Sequence, residues 1–181
     1  MRKFELLITL FILAILATGC STKSDQEGSA GNQAQTIEKV ALTPGAVIPG
    51  EGIKEVKFGA RPAELEPVLG APSEEDANEY VEGQKYLLYY AKGIELTLQD
   101  ERVQVITLHA KSGKWSAYSG GTAEGIGVGS TSEEIVAALG TPEEEAAQAL
   151  TYPSKGVKFR FTRDRDKGAR AETMSLGPIT K

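Results

Sequence analysis

Two stretches seventy positions apart line up on a shared pattern of residues. "KFGARPAELEPVLGAPSEE" (57–75) aligns with "GVGSTSEEIVAALGTPEEE" (127–145), setting Gly59 against Gly129, Glu64 against Glu134, Leu69 against Leu139, Gly70 against Gly140 and Pro72 against Pro142. Farther on, "LLYYAKGIELTL" (87–98) aligns with "LTYPSKGVKFRF" (150–161) at an offset of 63, pairing Tyr89 with Tyr152, Lys92 with Lys155 and Gly93 with Gly156. Two matches in the same order predict a duplicated unit, the second copy about seven residues shorter after its acidic run. The fold must then be one in which a small module occurs twice.

Each unit has a readable helix. In the second, Thr131 and Glu134 have the spacing of a capping box, Ile135, Val136 and Leu139 form an apolar stripe, Gly140 suits the residue past the helix end, and Pro142 blocks continuation. About eight residues are expected. The first copy has Arg61 in place of Thr131 and carries Pro67 inside the span, so its helix should be shorter or kinked.

Strands follow each helix. Ile94, Leu96 and Leu98 alternate with Glu95, Thr97 and Gln99, and Val157, Phe159 and Phe161 alternate with Lys158, Arg160 and Thr162. Period two with one apolar side predicts a half-buried antiparallel sheet. "YAKG" and "PSKG" read as tight turns whose glycine takes positive φ. Third strands follow at "RVQVITLHA" and "AETMSLG", and short strands ending at Phe58 and Val128 could precede the helices. The fold class expected is α+β: two tandem repeats, each a short helix packed on an antiparallel sheet of three to four strands.

The start of the chain reads as an export signal. Arg2 and Lys3 precede an apolar run from Leu6 to Ala17, broken only by Thr9. As a helix those residues rise about 18 Å, well short of a ~30 Å hydrocarbon layer, which suits a signal core rather than a permanent span. Small residues Ala17, Thr18 and Gly19 lead to Cys20, the only cysteine in 181 residues. No internal disulfide framework and no cysteine-based zinc site can be built from one thiol. "ATGC" resembles the bacterial lipobox. The resemblance implies cleavage before Cys20 by the lipoprotein signal peptidase and a diacylglycerol thioether on its sulfur, with acyl chains contributing roughly 0.8 kcal/mol per buried CH₂ to membrane attachment. The other reading is an ordinary secretory signal with a chance cysteine.

The segment 21–43 is rich in Ser, Gly, Gln and charge and reads as a tether averaging about 25 Å end to end. The organisation expected is a signal at 1–19, a lipidated cysteine and tether at 20–43, a first repeat at 44–110, a connector at 111–123 and a second repeat at 124–181. Net charge is −5, with no basic clustering of the kind that nucleic acid requires. Ser21 rather than Asp after the cysteine favours an outer-membrane address where the host has an outer membrane, and otherwise the outer face of the plasma membrane.

A short helix ending in LGxP, hairpin strands with "Y…KG…F.F" and a third strand together resemble the β-lactamase-inhibitor-protein-like fold, which also includes the SmpA/OmlA (BamE) outer-membrane lipoproteins. The resemblance covers residues 53–178, twice over. It implies small helices on one face of an antiparallel sheet and a habit of binding proteins; it transfers no individual site residue.

Chemistry is sparse. His109 is the only histidine, and the Walker, zincin and nucleophile-elbow spacings are absent. "EGIGVGS" (124–130) precedes a helix and could attract an anion, but reads more simply as the lead-in to a capped helix. "DRDKG" (164–168) lacks the later ligands of a calcium loop, and the acidic runs at 74–76 and 143–145 sit beside turns, where carboxylates are solvated. The connector "KSGKWSAYSGG" carries Trp115 and Tyr118, which are either exposed binding anchors or a plug under the seam between repeats. The function expected is non-covalent protein binding by a lipid-anchored envelope module, without catalysis, metal or cofactor. The alternative is an enzyme or small-ligand binder with its site at the seam, for which the acidic runs and His109 are the available ionisable groups.

Overall fold

The computed structural model describes residues 36–165 and 168–179. Cys20, the signal region and the tether up to residue 35 lie outside the described residues, as does part of the 164–168 loop. Among the described residues no helix is long and apolar enough to cross a membrane.

The fold is α+β, with the antiparallel sheet dominant. A short hairpin of β1 (Val47–Ile48) and β2 (Gly52–Ile53) comes first. Then follow α1 (Pro62–Leu69), β3 (Glu74–Ala77), β4 (Gln84–Tyr89), a 3-10 turn at Tyr90–Lys92, β5 (Ile94–Gln99) and β6 (Arg102–His109). The same order returns as α2 (Ser132–Leu139), β7 (Glu144–Ala146), β8 (Ala149–Tyr152), a 3-10 turn at Pro153–Lys155, β9 (Val157–Phe161) and β10 (Ala171–Leu176). Strands β3 to β10 form one eight-stranded sheet in the order β3-β4-β5-β6-β10-β9-β8-β7, with the two halves meeting where β6 pairs β10.

Register follows the alternating pattern. Leu87, Leu96, Ile106, Leu176, Val157 and Tyr152 are successive cross-strand partners, all buried, and they run straight through the β6–β10 seam. Buried residues from both halves accordingly form one hydrophobic cluster. The next row over points to the opposite face and reads Glu74, Leu88, Glu95, Thr107, Ser175, Lys158, Thr151 and Glu144. The core face of this sheet therefore packs under the helices, while the other face is polar and hydroxyl-rich.

Local geometry repeats closely. Gly59 and Gly129 both sit at φ 79°, donate to Val103 and Ala171 at the starts of β6 and β10 (2.8 Å each), and have carbonyls capped by Arg102 and Arg170. Gly93 and Gly156 take φ 66° and 62° after their 3-10 turns. The β5–β6 turn uses Asp100 and Glu101 at φ 51° and 61°, the left-handed pair that a two-residue hairpin needs.

Three expectations need correction. Of the two effects expected of Pro67, shortening is absent: α1 has the same eight residues as α2; Pro62 opens the helix where no donor is needed, and so short a helix has few interior bonds for Pro67 to remove. No strand ends at Phe58 or Val128; those segments turn into Gly59 and Gly129, and β1–β2 is the additional strand pair. The segment 36–43, expected as the end of a tether, is packed on the body instead. Ile37 is buried, Val40 packs against the core, and Thr43 bonds Ser119 (2.6 Å) and Gly121 (2.9 Å). The Ser/Gly/Gln composition gives way after residue 35 to aliphatic positions that have a surface to cover, so 36–43 lies as a strap on the body.

Candidate functional site

An organised cluster lies on the polar sheet face at the end of β6. Glu95 faces this side because its neighbours Ile94 and Leu96 are committed to the core. His109 ends β6 two positions beyond Thr107, the direct partner of Glu95, and so stands diagonal to Glu95 on the same face. Its Nε2 lies 2.9 Å from the Glu95 Oε2, with both side chains largely covered.

The connector then folds back over this pair. Ser112 and Trp115 exchange main-chain bonds (3.2 and 2.9 Å), Ser116 N–H donates to the Tyr90 carbonyl (2.9 Å) and Tyr118 N–H to the His109 carbonyl (2.9 Å). These ties lay the Trp115 indole flat on the His109 ring, centroids 3.7 Å apart and planes 1° from parallel. Tyr90 meets the same indole edge-on at 4.7 Å and 73°. Its phenol donates to Glu74 (2.7 Å), and Lys114 lies 3.6 Å from that carboxylate and 5.1 Å from the Tyr90 ring centroid. The Tyr90 bond, then the Lys114 charge, holds the Glu74 carboxyl below its ordinary range, and the same bond raises the Tyr90 phenol. The result is a continuous line Glu95, His109, Trp115, Tyr90, Glu74, in which an aromatic plate is bracketed by two carboxylates.

The sheet separates the two connector aromatics. Trp115 is half-buried on the polar face. Tyr118 is only 8% exposed on the core side, beside Leu69 and Ile94, and its hydroxyl donates to Glu55 (3.2 Å). Desolvation, then the nearby Glu55, pushes the Tyr118 phenol far up, so it stays a donor. The acidic runs become the outer strands β3 and β7, exposed along their length. Short, charged edge strands discourage pairing with another sheet edge.

The arrangement can hold a ligand by stacking, by carboxylate hydrogen bonds and by charge. Thr107 and Ser175, the hydroxyls beside Glu95 at the seam, are bonded to each other at 3.1 Å. Among the described residues no group of three or more His, Cys, Asp or Glu is placed to hold a metal ion. Tyr90 and Glu95 were not singled out by sequence reasoning. Setting the two halves side by side would have found them, because Pro153 and Lys158 occupy the matching places.

No protein-family model matches this sequence, and no curated protein does. Among solved structures the chain is similar to a 1.5 Å crystal structure of an extracellular protein containing a SCP domain from Bacillus anthracis str. Ames, at 8% identity and a TM-score of 0.45. The match covers 67% of this chain and 44% of that one, so this chain spans less than half the length of its neighbour. At that distance, fold and function rest on this chain's own residues.

Proposed function

We propose that this protein is a lipoprotein, acylated at Cys20, that holds two tandem copies of an α+β module at the cell envelope and binds another envelope or secreted protein without catalysis. Where the host has an outer membrane, its periplasmic face is the site; otherwise it is the outer face of the plasma membrane. The reading of the halves as copies, similar to the β-lactamase-inhibitor-protein-like and SmpA/OmlA group, is supported by their matching element order and by the paired geometry at Gly59/Gly129 and Gly93/Gly156.

The observation that carries the binding reading is the Trp115 plate. A half-buried indole fixed between His109 and Tyr90 on an otherwise polar sheet face offers a rigid aromatic anchor at little entropic cost. Tyr118 is covered on the core side beside Leu69 and Ile94 of the first half and offers no such anchor. A photo-crosslinking residue at Lys114, in the intact membrane-held protein, tests the proposal. One discrete envelope protein should be joined there, and His109→Ala should weaken the adduct; no adduct counts against binding at this face. For the anchor, Cys20→Ser should release the protein from membranes or stop its processing, and unchanged retention would refute acylation.

The Glu95–His109 hydrogen bond favours a second reading, a small-ligand or acid–base site beside the seam. A thermal-shift screen of small envelope metabolites, repeated on His109→Gln, decides it: stabilisation lost in the variant supports a ligand site, and none removes it.

A further inference from the structure

The hairpin between β3 and β4 presents the most exposed large apolar side chain described: Tyr80 is 93% exposed, and Val81 beside it 42%. Single exposed apolar residues are ordinary, but the loop carrying this pair is built rather than slack. Asn78 N–H donates to the Gln84 carbonyl (2.9 Å), and its side-chain amide donates to Gln84 Oε1 (2.5 Å) and the Tyr86 hydroxyl (2.9 Å). Tyr80 N–H donates to Asn78 Oδ1 (2.9 Å), and Gln84 N–H to the Val81 carbonyl (3.1 Å). The next hairpin braces it from the side, with Gln99 donating to the Glu82 carbonyl (3.0 Å) and Asp100 N–H to that of Gly83 (2.9 Å). Main-chain and side-chain bonds together order the loop, and none of those named involves the Tyr80 ring.

At the matching place the other half has a much shorter turn. Its matching hairpin joins Ala146 to Ala149 through two residues, Ala147 and Gln148. The longer tip also has a consistent charge. Glu79 and Glu82 flank Tyr80-Val81, Asp76 and Asp100 lie close by, and Lys85 is already occupied by Glu75 (3.1 Å) and Glu101 (2.9 Å). Beside Tyr80 a hollow of about 380 Å³ opens between Asp76, Glu79 and Tyr86. An acidic rim around an aromatic tip repels an anionic lipid surface and attracts a basic protein surface.

Resting on the binding reading above, we propose that this hairpin is a docking element. Tyr80 and Val81 enter an apolar slot on a protein partner, the slot is rimmed by Lys or Arg, and one of those basic side chains lies in the hollow against Asp76, Glu79 and the two tyrosine rings. A preformed loop ordered by its own hydrogen bonds loses little freedom on binding, and tyrosine is among the residues that most often dominate interface energetics. The six residues of β4 put this tip about 20 Å from the Trp115 plate, so the two can be tested apart.

The test uses the full-length, membrane-held protein with p-benzoylphenylalanine in place of Val81. Irradiation is expected to yield one discrete adduct whose partner presents a basic surface. Tyr80→Ala should lower its yield by about thirtyfold at sub-saturating partner, the size of a hot-spot truncation, and Glu79→Lys with Glu82→Lys should abolish it. Because Tyr80 is almost wholly in solvent, Tyr80→Ala should leave the melting temperature unchanged. An adduct indifferent to both changes, or one consisting of lipid, overturns the proposal. No adduct at 81 while the Lys114 probe still gives one also overturns it and leaves the binding reading intact; empty results at both positions end both.

Discussion

The turn at Gly59 and the turn at Gly129 have the same φ, the same hydrogen bond to a following strand and the same arginine cap, yet they stand in different surroundings. A Cβ on Gly59 would meet nothing within 4 Å, whereas one on Gly129 would come within 2.9 Å of the Glu38 carbonyl and 3.0 Å of the Val40 nitrogen. The strap crosses the Gly129 turn and leaves the Gly59 turn bare. The sheet faces differ in a similar way. Where the first half has Tyr90, Glu95 and His109, the second has Pro153, Lys158 and Gly177, and the connector that carries Trp115 over the first half has its counterpart in the C-terminal end of the chain. Shared positions thus mark what the fold requires. Departures mark what each half does in addition: the first carries the polar-aromatic site and the long hairpin, and the second receives the strap.

The largest effect should come from attacking what the halves share. Phe159 and Leu96 occupy matching core positions, both fully buried. Phe159→Ala should cost about 3–5 kcal/mol and Leu96→Ala about 2–5 kcal/mol. Because the core runs through the seam, either change should lower one cooperative transition, and hydrogen exchange should accelerate in β5 and β9 together. Two separate melts would break the single-core picture. Next, Gly59→Ala and Gly129→Ala sharpen the contrast. Each incurs the left-handed penalty of about 1–2 kcal/mol, and Gly129→Ala should cost measurably more and speed exchange at the Val40 amide, because the strap must move aside. Equal melting temperatures would mean that the strap contributes nothing at that turn.

Much of this architecture was legible because it depends on local chemistry. Thr131, Glu134, Gly140 and Pro142 bound α2 by capping, and the alternation at 94–98 and 157–161 sets which side chains enter the core. The α+β class follows from those signals. Three things were not legible. That β6 pairs β10, making one sheet rather than two, depends on which edges remain open once each half has folded, and no residue type encodes it. The strap at 36–43 carries aliphatic residues without a clear helical or strand period, and only the surface at Gly129 shows what they cover. Trp115 and Tyr118, three residues apart in an irregular connector, separate to opposite faces because main-chain bonds to Tyr90 and His109 fix the path between them, and no side-chain period predicts that.

A smaller effect tests the caps. Thr131 Oγ1 accepts from Glu134 N–H (3.3 Å), while the first helix has only the reciprocal bond, Arg61 N–H to the Glu64 carboxylate (2.7 Å), with no side-chain cap from Arg61. Thr131→Ala should cost about 1 kcal/mol in urea denaturation and Arg61→Ala much less. Equal losses would show that the two helix starts are energetically the same despite their sequences.

The smallest expected effect is a response to acid, and it separates the halves by their reporters. In the second half the Thr131 N–H bond, then Lys39 and Arg170, holds the Glu134 carboxyl below its ordinary range against a desolvation penalty; in the first, Tyr90 and Lys114 do the same for Glu74. A carboxyl lowered in the folded state stabilises the fold above its ordinary value and loses that contribution as pH falls through its lowered one. Glu134 is well exposed, so solvent screening keeps its share small. As pH falls below about 4, the ordinary carboxylate range, the strap should loosen through the Lys39–Glu134 contact and the plate through Tyr90–Glu74. Trp115 is the only tryptophan, so its fluorescence reports the plate alone, while exchange at residues 38–42 reports the strap. Glu134→Gln should remove the acid response of the strap and leave the fluorescence change in place, and Glu74→Gln should do the reverse. A single variant that removes both responses would mean that the two halves are electrostatically coupled through the sheet.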